Sequence, residues 1–223
     1  MTLQALATTI KSWPLYHAYR RSRQPADLRR WLRTGKTGPV PHLAKQAVLR
    51  AMHDRYRLPV LVETGTYLGD MVYAMHGVFE QIYSIELSPD LHRRALHRFR
   101  RMPAIHLLLG DSGQVLGQLV EKLQRGTVFW LDGHFSGGAT AMGGSATPVM
   151  QEVSAIMRLT IPFVVLIDDA SLFNGSGDYP TLAALAAHAE AIRPGTTLSV
   201  ADDIISIVPP HLQTTLAPPG AAS

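Results

Sequence analysis

Five short apolar runs mark out the middle of the chain: Val60 to Val62, Ile82 to Ile85, Ile105 to Leu109, Thr127 to Leu131 and Phe163 to Ile167. They are rich in β-branched residues and of a length that suits buried strands. Helix-length segments separate them: one after Gly69, then Pro89 to about Arg101, Gly113 to Gln124, and Val149 to Leu159, with another from Pro180 to Ile192 after the fifth strand. Strand, turn, helix, strand is a βαβ unit, and its repetition predicts an α/β fold, a doubly wound, Rossmann-like, mostly parallel sheet. Two further strands, Thr197 to Val200 and Ile204 to Val208, are joined through Ala201-Asp202-Asp203.

Upstream of the strands the pattern is helical. Residues 3–33 read as two helices broken near Trp13-Pro14 and Gln24-Pro25, with Pro25 and Asp27 marking the second start. Residues 26–33 place Leu28, Trp31 and Leu32 on one face and arginines on the other. Gly35 to Pro41 is loop-like, and His42 to Arg57 reads as a helix whose Lys45 points toward the site mouth. The expected organisation is therefore a helical N-terminal extension (1–58), one α/β domain (59–209) and a Pro/Ala-rich disordered tail (210–223).

Composition narrows the chemistry. At 223 residues, 46% hydrophobic and without cysteine, the chain can bury a sizeable core but cannot form disulfides, thiolate metal sites or a cysteine nucleophile. No apolar run approaches the ~18 residues of a membrane span, and the N-terminus lacks the basic start of a signal peptide, so a cytoplasmic location is expected. Residues 1–58 carry a formal +10 and the remainder −6. Such polarity marks either a solvated face or contact with phosphates, nucleic acid or an anionic membrane surface. The amphipathic helix within it packs on the domain, on a second subunit in a homodimer, or peripherally on a membrane.

The chemistry concentrates where strands end. Glu63-Thr64-Gly65-Thr66-Tyr67-Leu68-Gly69-Asp70 follows the first strand, and Glu86-Leu87 closes the second. Ligands of such folds bind beyond the carboxyl ends of the strands. Gly65 and Gly69 allow a sharp turn and close approach of a ligand. Glu86 stands 21 residues beyond Gly65, where a ribose-binding carboxylate belongs. Glu63 sits where a pyrophosphate would rest, which disfavours NAD or a nucleoside triphosphate. A ligand bearing ribose, a cationic amine and a sulfonium suits two carboxylates better, and that ligand is S-adenosylmethionine.

With those residues in view, the stretch from Pro59 to Pro209 resembles the class I S-adenosylmethionine-dependent methyltransferases, with E-T-G-T-Y-L-G as their first motif and S-I-E-L as the acidic second-strand end. It is most similar to a bacterial group carrying V-E-T-G-T-x-x-G-D, G-D-S and W-L-D-G-H-[FY]-S-G-G. The resemblance implies a closing antiparallel strand pair, and cofactor contacts from Glu63, Gly65, Thr66, Tyr67, Gly69, Glu86, Leu87, Asp111, Ser112 and Asp132. Asp111 or Ser112 would reach the adenine amine, although either also reads as a helix N-cap. Asp132, Asp168 and Asp169 are similar to the Mg²⁺ ligands of catechol-type and macrolide-sugar O-methyltransferases. All-oxygen ligation there would select Mg²⁺ and lower the pKa of a substrate hydroxyl. His134, two residues beyond Asp132, is the candidate general base, with a metal ligand or a backbone-bonded loop histidine as alternatives. Glu152 and Asp178 are weaker candidates, and Tyr67 and Phe135 could wall the pocket.

Three functions follow: O-methylation of a small hydroxylated metabolite or sugar, Mg²⁺-assisted or not; methylation of nucleic acid through the basic N-terminal region; or cofactor binding without turnover. The second is disfavoured because D-G-H-F replaces the [DN]-P-P-[FY] used on exocyclic amines.

Overall fold

The computed structural model describes residues 14–133 and 147–213, so His134 and Phe135 lie outside it. Two helices lead in: α1 (Pro14–Arg33) and α2 (His42–Tyr56). Then come β1 (Val60–Thr64), α3 (Asp70–Met75), β2 (Gln81–Glu86), α4 (Pro89–Phe99), β3 (Ile105–Leu109), α5 (Ser112–Val120), β4 (Thr127–Leu131), α6 (Val149–Ile156) and β5 (Phe163–Ile167). A 3₁₀ turn (Ala170–Leu172), α7 (Leu182–Ile192), β6 (Thr197–Ala201), β7 (Ile204–Val208) and a final helical turn, α8 (Pro210–Gln213), complete the order. The strands form one sheet in the order β3-β2-β1-β4-β5-β7-β6. β1 to β5 run parallel, while β7 is antiparallel to both β5 and β6. The doubly wound sheet with a reversed C-terminal pair is thus the fold that the strand pattern and the resemblance imply.

Central strands buried on both faces explain why β1, β4 and β5 read as continuous apolar runs. Alternate residues serve opposite layers. Val60, Val62, Phe129, Leu131, Phe163, Val165 and Ile167 pack with α5, α6 and α7. Leu61, Val128, Trp130, Val164 and Leu166 pack with α2, α3 and α4. Ser88 caps α4 by accepting the Leu91 N–H, with Pro89 in the first turn. The helix after Gly69 is shorter than its segment, with six residues, because His76 to Phe79 turn back as a bridge.

The N-terminal region departs from the sequence pattern. Helix α1 runs unbroken from Pro14 to Arg33 with Pro25 inside it, rather than restarting there. Proline removes one helical hydrogen bond, and contacts on either side hold the helix together. Asp70 receives His17 (2.9 Å), Arg20 (2.6 Å) and Arg98 (2.9 Å). Trp31 is buried, and the loop after α1 is pinned by Lys36 on Asp202 (2.7 Å) in the β6–β7 turn. Leu32, expected beside Trp31, faces outward instead. Among the described residues no helix is long and apolar enough to cross a membrane.

Burial alone would raise the Asp70 pKa, but Arg98, Arg20 and His17 outweigh it and hold the carboxyl below its ordinary 3.8. A depressed carboxyl stabilises the fold above the unfolded-state value, and that contribution is lost as pH falls through the lower folded-state value. Asp70→Asn is expected to cost about 1.5–3 kcal/mol at neutral pH, as for a hydrogen-bonded charge. The difference from wild type should shrink below pH 3.8; urea denaturation at a series of pH values checks both.

Candidate active site

The strand register carries the acidic residues to one edge. Thr64, Leu131 and Ile167 are successive neighbours across β1, β4 and β5. The ladder continues past them, since Asp132 N–H donates to Thr64 O (3.2 Å) and Asp168 N–H to Leu131 O (3.1 Å). Glu63 and Glu86 lie on adjacent strands at the same edge. β1, β4 and β5 therefore lie side by side and bring Asp132 and Asp168 to one edge.

The turn after β1 is built for close approach. Gly65 has φ +85°, and a Cβ there would stand 2.5 Å from the backbone oxygen of Asp132. Gly65 and Thr66 both donate to Ile85 O, which folds the turn over the end of β2. Tyr67 then takes a left-handed conformation, φ +48°, uncommon for a bulky residue. Glu86 holds it there: one carboxylate oxygen accepts the Tyr67 N–H (2.7 Å) and the other the Ser88 N–H (2.9 Å). Gly69, also left-handed, caps α3.

Glu63 and Glu86 are both acidic, but they differ electrically. Glu63 is buried beneath the turn, accepting from Ser84 Oγ (2.7 Å), which in turn contacts Thr66 Oγ1 (2.6 Å). Burial, with Asp132 and Glu86 nearby, pushes its pKa up to about 8. At neutral pH Glu63 is therefore mostly protonated, which corrects the picture of two standing negative charges. Burial raises Glu86 as well, against the pull of the Ser88 and Tyr67 N–H groups. Asp111 accepts the Gly113 N–H (2.9 Å) as the N-cap of α5, and Ser112 is buried behind it.

On the far side, Glu152 of α6 is buried, its pKa raised by burial to about 7. The Ser112 and Thr64 hydroxyls partly offset the burial of Glu152, and among the described residues Asp168 Oδ1 is buried without a hydrogen-bond partner. Glu152 and Asp168 share a small cleft with Gly133, Thr147 and Tyr179. Burial, with Asp169 and Asp132 facing it, lifts the Tyr179 hydroxyl to about 12.

Lys45 settles how the aspartates coexist. It reaches from α2 to hydrogen-bond Asp168, and both side chains are largely buried. Burial works against the ammonium, yet Asp168, then Asp132 and Asp169, outweigh it and raise the lysine pKa. Asp169 is left-handed (φ +54°) and opens the 3₁₀ turn. Among the described residues no three His, Asp or Glu side chains are grouped to hold a metal ion. With an ammonium already on Asp168, the set Asp132, Asp168 and Asp169 does not fit a divalent cation.

Sequence reasoning placed Glu63, Gly65, Glu86, Asp111, Asp132 and Asp168 at this edge and gave Lys45 its direction. It treated Glu152 as marginal and missed Thr64, Ser84 and Tyr179. Ser84 had a signal, a lone hydroxyl between Ile82 and Ile85 in a buried strand. Tyr179 had none, because a 3₁₀ turn and loop bring it back to the site.

The protonated Glu63 has a measurable consequence. The unfolded chain loses that proton near 4.5, while the folded protein keeps it to about 8, so stability falls across this window and levels above it. Glu63→Gln should flatten part of that decline, as read from urea midpoints between pH 5 and 8.5. Lys45→Met should cost about 3–5 kcal/mol by stranding the buried Asp168 carboxylate. Adding Asp168→Leu should recover most of that loss in a double-mutant cycle.

No family model and no curated protein matches the chain. Solved structures do. A putative caffeoyl-CoA O-methyltransferase from Staphylococcus aureus superposes with a TM-score of 0.52 at 11% identity, covering 87% of this chain and 99% of that one. The S-adenosylhomocysteine-bound Podospora anserina methyltransferase PaMTH1 gives 0.52 at 14% identity, covering 94% and 88%. Strand order, the reversed terminal pair and these superpositions agree that the chain has the class I methyltransferase fold.

Proposed function

We propose that this protein is an S-adenosylmethionine-dependent methyltransferase acting on a hydroxyl group of a small metabolite or sugar. The observation that carries the reading is Glu86, whose carboxylate closes the glycine turn by accepting the N–H groups of Tyr67 and Ser88. A carboxylate has about four acceptor positions. The Tyr67 and Ser88 N–H groups and, more weakly, that of Leu87 engage it, and capacity remains for a ribose hydroxyl. Thr66 and Gly69 shape the turn, Leu87 would help hold the adenine, and Asp111 or Ser112 would offer its amine a hydrogen bond.

When bound, the cofactor supplies a methyl group on a positively charged sulfur. The residues of this chain prepare the surroundings. Glu63, mostly protonated at neutral pH, would ionise beside a cation, so that charge is created only where it can be paired. Gly65 lets the backbone of Asp132 close over the turn. Asp132 and the Lys45–Asp168 pair orient the acceptor, with Glu152, Thr64 and Tyr179 offering hydrogen bonds. His134, next to this row in sequence, is the proposed base that takes the hydroxyl proton. No step is assigned to a divalent cation.

Calorimetric titration with S-adenosylhomocysteine tests the reading. Wild type should bind, and Glu86→Ala should weaken binding by at least tenfold. His134→Ala should keep that affinity while turnover on a hydroxylated acceptor panel falls by about 10²–10⁴. No binding to the wild type would overturn the proposal.

A further inference from the structure

A second cavity, about 610 Å³, lies between α1, α3 and α4. Its volume falls in the ~300–1,000 Å³ range of small-molecule sites. Its wall carries five guanidinium groups, from Arg21, Arg93, Arg94, Arg98 and Arg100, against one carboxylate, Asp90. Some of this charge is already engaged: Arg93 hydrogen-bonds Asp90, and Arg98 bonds Asp70 and the Leu68 carbonyl. Arg21 and Arg98 nevertheless both stack on the Tyr73 ring, their guanidinium carbons 4.8 and 5.2 Å from its centre. Two like charges on one ring repel, and burial with Arg21 nearby lowers the Arg98 pKa. An anion relieves that repulsion, and arginine forks match phosphate oxygens.

We propose that this cavity binds a small molecule carrying two or more phosphate groups. A cavity of about 610 Å³ with arginines on both α1 and α4 exceeds what a single phosphate fills, and each phosphate brings about −1.5 to −2 at neutral pH. Concavity favours a compact ligand over a nucleic-acid strand, which would follow an extended groove. The site also explains part of the N-terminal charge that the fold leaves unused, since α1 contributes Arg21. It is independent of the methyl-transfer reading, because none of its residues belongs to the proposed cofactor or acceptor contacts.

The test is calorimetry on the full chain with inorganic pyrophosphate, adenosine diphosphate and orthophosphate. Pyrophosphate and the diphosphate should bind at least tenfold more tightly than orthophosphate. The double variant Arg21→Glu/Arg93→Glu should lose at least tenfold in affinity for both, while its melting temperature and its S-adenosylhomocysteine affinity stay at wild-type values. Arg93→Lys, which keeps the charge, should retain most of the binding. Three results would overturn the proposal: no pyrophosphate binding by wild type, equal affinity in the charge-reversed variant, or tight binding of a single-stranded RNA that pyrophosphate fails to displace.

Discussion

A parallel sheet that ends its central strands in Glu63, Glu86, Asp132 and Asp168 gathers negative charge in a place with little water. Charges crowded this way repel strongly unless each is neutralised. The molecule uses a different device for each of three. Glu63 keeps its proton, Glu86 is matched by two backbone N–H groups, and Asp168 is met by an ammonium. Much of the local architecture follows from these devices. The left-handed Tyr67 brings its N–H to Glu86, Ser84 interrupts an apolar strand to donate to Glu63, and α2 lies where Lys45 reaches Asp168.

The same logic separates this site from a metal-assisted one. Three aspartates in sequence look like a ligand set, because spacing reveals the acids and hides the base. Lys45 stands 123 positions before Asp168. Once the lysine is in place, a divalent cation would have to displace an ammonium already held by several carboxylates. Lys45 thus holds the place on Asp168 that such a cation would need.

Legibility from sequence followed the range of the interactions. β3, β4, β5 and β7 were readable residue for residue, because each is a short, mostly apolar run bounded by turn residues. The N-caps at Ser88 and Asp111 were readable too, being local. Pro25 misled because proline's cost is intrinsic, whereas the contacts of His17 and Arg20 with Asp70 that hold the surrounding helix are tertiary. The ionisation of Glu63 was equally invisible: a carboxylate at a strand end reads as charged until its burial is known.

Lys45 also bears on where the functional unit begins. A boundary drawn just before β1 looks natural, since a basic helical arm ends there and an acidic α/β body starts. Yet that cut removes the counter-ion of Asp168 along with Leu49, which is wholly enclosed in the α2/α3/α4 layer. The arm is therefore a wall of the carboxylate-lined edge. A shortened protein starting at Pro59 would keep every motif that suggests methyl transfer and still lack the cation that lets its aspartates share one edge.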